Sequence, residues 1–263
     1  MSKLIFFDID GTLWDAQMEI AESTVTALHG LRERGHKIFL CSGRARGNIR
    51  SDKLLGIGFD GIVAACGNHI EMDGKILYEY ILPPEQVRRV FQITRECRMP
   101  VVLEGPERHW IDEVGFEEDP YVAYLFQEMG NTAIPLKAYT PDIRINKFSA
   151  DVRPHTDYAT VKEKLSDVFD FLEHDGSVIE VVPRGTSKAS GIDWLCKYLG
   201  VDREDTYAVG DSVNDLDMLR FVGHSIAMGN ASEAAKAAAE YVTTDIHADG
   251  ILRAMQHYGL LDP

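Results

Sequence analysis

No run of apolar residues in this chain approaches the ~18 that a membrane-spanning helix needs. The first residues also lack a signal-peptide build, because Asp8 and Asp10 interrupt the apolar stretch. Cysteine is scarce: Cys41, Cys66, Cys97 and Cys196 show no CxxC pairing and no zinc spacing, so they read as buried thiols of a cytoplasmic protein. Positive charge is short too. Lys and Arg number 27 against 42 Asp and Glu, a formal charge of −15. Such a surface repels nucleic acid and anionic membranes, and neither is expected as a partner. A phosphorylated substrate stays open, since local cations and a metal can reverse the field inside a site. Internal repeats and low-complexity runs are missing as well. What is present is 45% hydrophobic content over 263 residues, enough for one large core or two smaller ones.

The stretch Phe6-Phe7-Asp8-Ile9-Asp10-Gly11-Thr12-Leu13 organises the chain. Leu4 to Phe7 is the kind of short apolar run that forms a strand buried on both faces. Two acids follow where it ends, and Gly11 permits a sharp turn. Carboxylates this close repel unless a cation or a shared proton offsets them, which predicts an Mg²⁺ site with one Asp as nucleophile and the other as acid/base. Read alone, the same residues also suit a surface Asp-Gly turn. Residues 20–34 carry helical spacing, Gly35 stops that helix, and Lys37 to Cys41 is a second buried strand ending in Ser42-Gly43-Arg44. The strand–helix–strand order argues for right-handed winding and a parallel sheet. Ser42 at the strand end can donate to a phosphoryl oxygen or cap a helix.

Residues 61–68 read as a third strand, and residues 69–80 alternate about Asp73-Gly74, a hairpin signal. From Pro83-Pro84 the pattern changes. Helices are expected at Pro84 onward, over Tyr121–Met129 and over Val161–Phe169. Strands are expected at Val101–Leu103, Arg108–Ile111, Asp142–Val152 (half-exposed), Asp170–His174 and Val178–Val182. One-sided patterning marks an α+β module rather than more parallel sheet. The reading is an α/β, Rossmann-like parallel core over 1–80 and 185–263, with an inserted α+β domain over 81–184. Within the insertion, Glu104, Arg108, His109, Arg144 and Arg184 are candidates to face a substrate, although each reads first as a solvated charge.

The parallel pattern resumes with a helix over Lys188–Leu199 and a strand over Thr206–Val209 that empties into Gly210-Asp211-Ser212-Val213-Asn214-Asp215. His224 to Met228 is a further strand, followed by Gly229-Asn230. Strand ends of a parallel sheet share one edge, so Asp8, Asp10, Ser42, Asp211 and Asn230 can converge. Asp215 in a first helical turn is also what a helix dipole favours, although that leaves Asp211 unexplained.

Taken together, Asp8-Ile9-Asp10-Gly11-Thr12-Leu13, Ser42-Gly43-Arg44, Lys188 and Gly210-Asp211-Ser212-Val213-Asn214-Asp215 resemble the four motifs of the haloacid dehalogenase-like hydrolase superfamily. Their order and the large insertion are similar to its Cof-type phosphatases, which carry an α+β cap. The resemblance implies that Asp8 attacks phosphorus to form an aspartyl-phosphate and that Asp10 is the acid/base. It implies Mg²⁺ held by Asp8, the Asp10 carbonyl and Asp211, with Asp215 as a ligand or behind one. Ser42 and Lys188 would bind phosphoryl oxygens, with Gly43, Arg44 and Asn214 completing the phosphate and substrate set. The partner it implies is a small phosphorylated metabolite, handled by a monomer or weak homo-oligomer. A phosphomutase on the same scaffold and a phosphate-binding regulatory module without turnover are the alternatives. Three positions depart from the family pattern. Trp14 stands where a smaller aliphatic residue is common, residues 65–68 replace a usual Asn-Gly, and Asp245 and His247 occupy a loop where asparagine is frequent.

Overall fold

The computed structural model describes residues 2–112, 125–127, 129–173 and 176–262. Two compact units are present. One comprises Met1–Gly43, Arg50–Tyr78 and Ser187–Pro263, and the other Arg44–Ile49 and Glu79–Thr186.

The first unit is an α/β fold on an eight-stranded sheet of order β14-β13-β12-β1-β2-β3-β4-β5. Its strands are β1 (Leu4–Phe7), β2 (Lys37–Cys41), β3 (Gly61–Ala64), β4 (His69–Met72), β5 (Lys75–Glu79), β12 (Thr206–Gly210), β13 (His224–Ala227) and β14 (Tyr241–Val242). Pairing is parallel from β14 through β3. β1 lies in the middle, paired with β12 and β2 on its two sides, and all four of its residues are buried. A run of Leu-Ile-Phe-Phe suits that place because neither face meets water. β4 runs antiparallel to β3. Asp73 (φ 51°) and Gly74 (φ 71°) supply the two left-handed residues of the β4–β5 turn, which matches the twist of a hairpin.

The helix Lys188–Leu199 starts in a reciprocal cap, with the Ser187 hydroxyl accepting from the Ser190 N–H and the Ser190 hydroxyl accepting from the Ser187 N–H. It ends at Gly200 in the left-handed conformation. Its first turn lies against the chain after β3. A Cβ on Gly67 would stand 2.4 Å from the Ser187 carbonyl oxygen, and one on Gly191 would stand 2.8 Å from the Gly67 Cα. Two glycines therefore let the helix start close to the sheet edge.

The second unit holds a six-stranded sheet of order β10-β11-β9-β6-β7-β8. The strands are β6 (Val101–Glu104), β7 (His109–Ile111), β8 (Ala133–Pro135), β9 (Lys147–Asp151), β10 (Phe169–Glu173) and β11 (Val178–Pro183). Neighbouring strands are antiparallel except β7 with β8, which is parallel. One face packs Leu103, Phe148 and Val181 with Val87, Val90 and Val161 of the helices Pro84–Glu96 and Tyr158–Leu165. On the other face three charged side chains meet. Lys147 Nζ lies 2.7 Å from Glu180 Oε2 and 3.3 Å from Glu104 Oε1, all three shielded from solvent.

Some expectations are corrected here. Strand pairing in the Asp142–Val152 stretch is confined to β9; ahead of it the Ile145 carbonyl accepts from the Leu82 N–H and the Asn146 amide donates to the Tyr80 carbonyl, which ties these residues to the segment before the helix Pro84–Glu96. Both faces of β9 are also largely covered, so it is not half-exposed. The helix expected over Val161–Phe169 spans Tyr158–Leu165, and Phe169 opens β10. Glu104 and His109 are buried, whereas Arg108, Arg144 and Arg184 are exposed. Strand β8 has no counterpart in the sequence reading. The segment Arg44–Ile49 groups with the second unit, where a Cβ on Gly47 would meet the Gly105 carbonyl oxygen at 2.9 Å. Of the helix expected over Tyr121–Met129, residues 121–124 and 128 lie outside the described residues, as does His174 of the expected Asp170–His174 strand. Among the described residues no helix is long and apolar enough to cross a membrane.

Candidate active site

The parallel sheet brings Asp8, Ser42 and Asp211 to the carboxyl ends of β1, β2 and β12. The Asp8 N–H donates to the Val209 carbonyl at 3.0 Å, which extends the β1–β12 ladder by one residue and sets the carboxylate at the edge. After Asp8 the chain turns tightly, with the N–H groups of Leu13 and Trp14 donating to the Ile9 carbonyl at 3.0 and 3.2 Å. Gly11 (φ 80°) sits in this turn. A Cβ there would stand 2.4 Å from Asp211 Oδ2, so only glycine lets the β1 turn approach Asp211.

Asp211 is held by the Thr12 hydroxyl, which donates to its Oδ1 at 2.7 Å. Asp215 follows in a short 3₁₀ turn, and its Oδ2 accepts from the N–H groups of Asp211 and Ser212, both at 2.9 Å. Gly210 repeats the logic of Gly11, since a Cβ there would lie 2.6 Å from Asp215 Cγ. Oxygens of Asp8, Asp211 and Asp215 all lie within 4.8 Å of one another. The Lys188 ammonium donates to Asp8 Oδ1 and to Asp215 Oδ1, each at 2.6 Å. The Lys188 side chain is fully buried.

The sequence resemblance is matched by the whole chain. The family model described as haloacid dehalogenase-like hydrolase covers residues 5–255. The chain belongs to this family. It is 32% identical over 99% of its length, and 99% of the relative's, to YkrA of Bacillus subtilis (strain 168), whose name places it provisionally among phosphatases. It is 29% identical over 97% of both chains to 5-amino-6-(5-phospho-D-ribitylamino)uracil phosphatase YitU of the same organism. Among solved structures, the HAD subclass IIB sugar phosphatase BT4131 superposes with a TM-score of 0.84 at 26% identity, over 99% of this chain and all of that one. This protein is thus an enzyme, and YitU and BT4131, which it matches over nearly their whole length, are named phosphatases.

The electrostatics of the hydrolase's site follow from burial. Burial raises Asp8 well above the carboxylate range; Lys188 opposes this, and the neighbouring Asp215 and Asp211 add to it. Asp211 is pushed up to about 7 by burial and by Asp215, with the Thr12 hydroxyl pulling the other way. For Lys188, burial lowers the pKa, but the Asp215 and Asp8 carboxylates outweigh it and hold the ammonium charged. Three converging carboxylates against one ammonium leave negative charge to be neutralised, and an all-oxygen donor set suits a hard divalent cation.

The other expected residues are placed as follows. Asp10 is exposed and accepts from the Trp14 indole N–H at 2.9 Å. Ser42 is buried, its N–H donating to the Val63 carbonyl and its carbonyl accepting from the Cys66 N–H. Asn214 Oδ1 accepts from the Ser212 hydroxyl at 2.8 Å. Gly43 closes the β2 end within the first unit, whereas Arg44 belongs to the second. Asn68 donates to the Ala65 carbonyl at 2.8 Å and is fully buried, a structural role for a turn in which Ala65, Cys66 and Gly67 are all left-handed. Asp245 accepts from the His247 N–H at 2.9 Å, and His247 is exposed. Two contributors had no role assigned from sequence. Thr12 orients Asp211, and Asn230 clamps the β1 turn, donating to the Gly11 carbonyl at 2.7 Å while accepting from the Ile246 N–H.

Proposed function

We propose that this hydrolase is an Mg²⁺-dependent phosphomonoesterase that cleaves a small phosphorylated metabolite through an aspartyl-phosphate on Asp8. The observation that carries the reading is Asp8 at a strand end, 2.6 Å from the Lys188 ammonium and grouped with Asp211 and Asp215. An Asp8 oxygen attacks phosphorus as the bond to the leaving oxygen breaks, and Asp10 gives that oxygen a proton. Asp10 then takes a proton from the water that attacks the phospho-aspartate, which frees phosphate and restores Asp8. Lys188 and Ser42 stabilise charge on the phosphoryl oxygens, aided by Gly43, Arg44 and Asn214 as phosphate and substrate contacts. Asp8, the Asp10 carbonyl, Asp211 and Asp215 would hold the Mg²⁺. When bound, it offsets the carboxylate repulsion and the charge of the phosphoryl group.

The named substrates of YitU and BT4131, a ribityl-pyrimidine phosphate and a sugar phosphate, support a sugar phosphate or phosphorylated cofactor precursor as the substrate class. Four free, buried cysteines suit a reducing, cytoplasmic setting. The test is phosphate release from a panel of phosphorylated metabolites with Mg²⁺. Release from at least one by the wild type, and from none by a folded Asp8→Asn variant, is the expected result. Undiminished release by Asp8→Asn would overturn the assignment.

A further inference from the structure

The turn after β1 places an indole N–H on the proposed acid/base. Trp14 is 3% exposed, and its Nε1–H donates to Asp10 Oδ1 at 2.9 Å, although Asp10 itself is exposed. The donor is rigidly mounted. The Trp14 N–H bonds the Ile9 carbonyl, and the Trp14 carbonyl accepts from the Gly11 N–H at 2.9 Å, so its backbone is tied on both sides of Asp10. An exposed aspartate otherwise samples several rotamers, and a proton donor must sit within hydrogen-bond reach of the leaving oxygen.

We propose that Trp14 is a positioning residue that holds the Asp10 carboxyl in one rotamer for proton transfer, an inference that rests on the phosphatase reading. The indole can only donate. It therefore engages Oδ1 as an acceptor and leaves the transferable proton to Oδ2. In the first half-reaction the Oδ2–H bond breaks as the leaving oxygen gains the proton. In the second, a water proton passes to Oδ2 as the water oxygen bonds phosphorus and Asp8 departs. Attack by Asp8 does not involve Trp14. Its effect should therefore depend on how much the leaving group needs a proton.

The test compares kcat/KM on p-nitrophenyl phosphate, whose nitrophenolate leaves without protonation, with kcat/KM on phenyl phosphate and β-glycerol phosphate, whose leaving oxygens need it. Trp14→Phe keeps an aromatic ring and deletes the N–H. It should lower kcat/KM on phenyl and glycerol phosphates by about tenfold, and leave p-nitrophenyl phosphate within about twofold. A merely structural role would lower all three alike, and that result overturns the proposal, as does no change in any of them. If Trp14→Phe fails to fold, the isosteric β-(3-benzothienyl)alanine at position 14, with sulfur in place of N–H, carries the same comparison. A wild-type enzyme that hydrolyses none of the three overturns the phosphatase reading together with this one. Wild-type hydrolysis with uniform losses in the variant overturns only the role of Trp14.

Discussion

Lys188 Nζ lies 2.6 Å from both Asp8 Oδ1 and Asp215 Oδ1, so one ammonium bridges carboxylates that come from opposite ends of the sequence. All three side chains are buried. Removing one charge from such a group leaves the others without compensation, which costs more than the pairs themselves contribute. The bridge also orients Asp8, because a hydrogen bond to one oxygen of the nucleophile restricts its rotation.

Lys188→Met should therefore act on activity and stability together. Hydrolysis of p-nitrophenyl phosphate should fall at least about a hundredfold, since a group that stabilises transition-state charge is lost. The metal-free variant should be about 3 kcal/mol less stable to urea. Unchanged stability without metal would show that the cluster does not depend on the ammonium.

Metal and pH should be linked. Asp211 is raised from 3.8 to about 7, and Asp8 is raised as well, both first by burial. A carboxyl whose folded pKa is raised contributes stability that is fully present below its unfolded pKa and is lost as pH rises through the folded pKa. The metal-free protein should thus lose stability between about pH 4 and pH 7. Mg²⁺, competing with those protons, should raise Tm more at about pH 8 than at about pH 5. Melting curves in EDTA and in Mg²⁺ at the two pH values check this; equal increments would contradict it.

The two glycines beside the carboxylates admit no side chain. Gly11→Ala puts a methyl 2.4 Å from Asp211 Oδ2 at φ 80°, and Gly210→Ala puts one 2.6 Å from Asp215 Cγ. Each should cost about 3 kcal/mol and weaken Mg²⁺ affinity. Urea titration and calorimetric Mg²⁺ binding read the two effects separately.

A last prediction concerns the second unit. Lys147 bridges Glu104 and Glu180 on the sheet face opposite the helices Pro84–Glu96 and Tyr158–Leu165. Lys147→Met should destabilise the protein by about 3 kcal/mol by stranding shielded carboxylates. The double variant Lys147→Met/Glu180→Gln should recover part of that loss, and urea unfolding of both distinguishes the outcomes.

Much of this protein was legible before any coordinates. Leu4–Phe7 is apolar throughout, as is the run from Ile38 to Cys41, and a short run with no polar face has few places to go except the middle of a parallel sheet. Local chemistry likewise announced the Asp73-Gly74 turn and the end of the Lys188–Leu199 helix at Gly200, because turn and C-terminal glycine preferences act over a few residues. Asp8-x-Asp10-Gly11 and Gly210-Asp211 marked their strand ends in the same way.

What tertiary structure alone decided are the contacts across long separations. Lys188 lies 180 positions from Asp8, and nothing in its own neighbourhood distinguishes a buried ammonium from a surface lysine. Glu104 and His109 read as surface charges because burial depends on which strands become interior, and pairing partners are not encoded locally. The residues ahead of β9 are tied to Tyr80 and Leu82 instead, a constraint from elsewhere in the chain. The Trp14–Asp10 contact spans only four positions, yet it too needed the fold. The turn could form only because Gly11 leaves room for Asp211, which comes from β12.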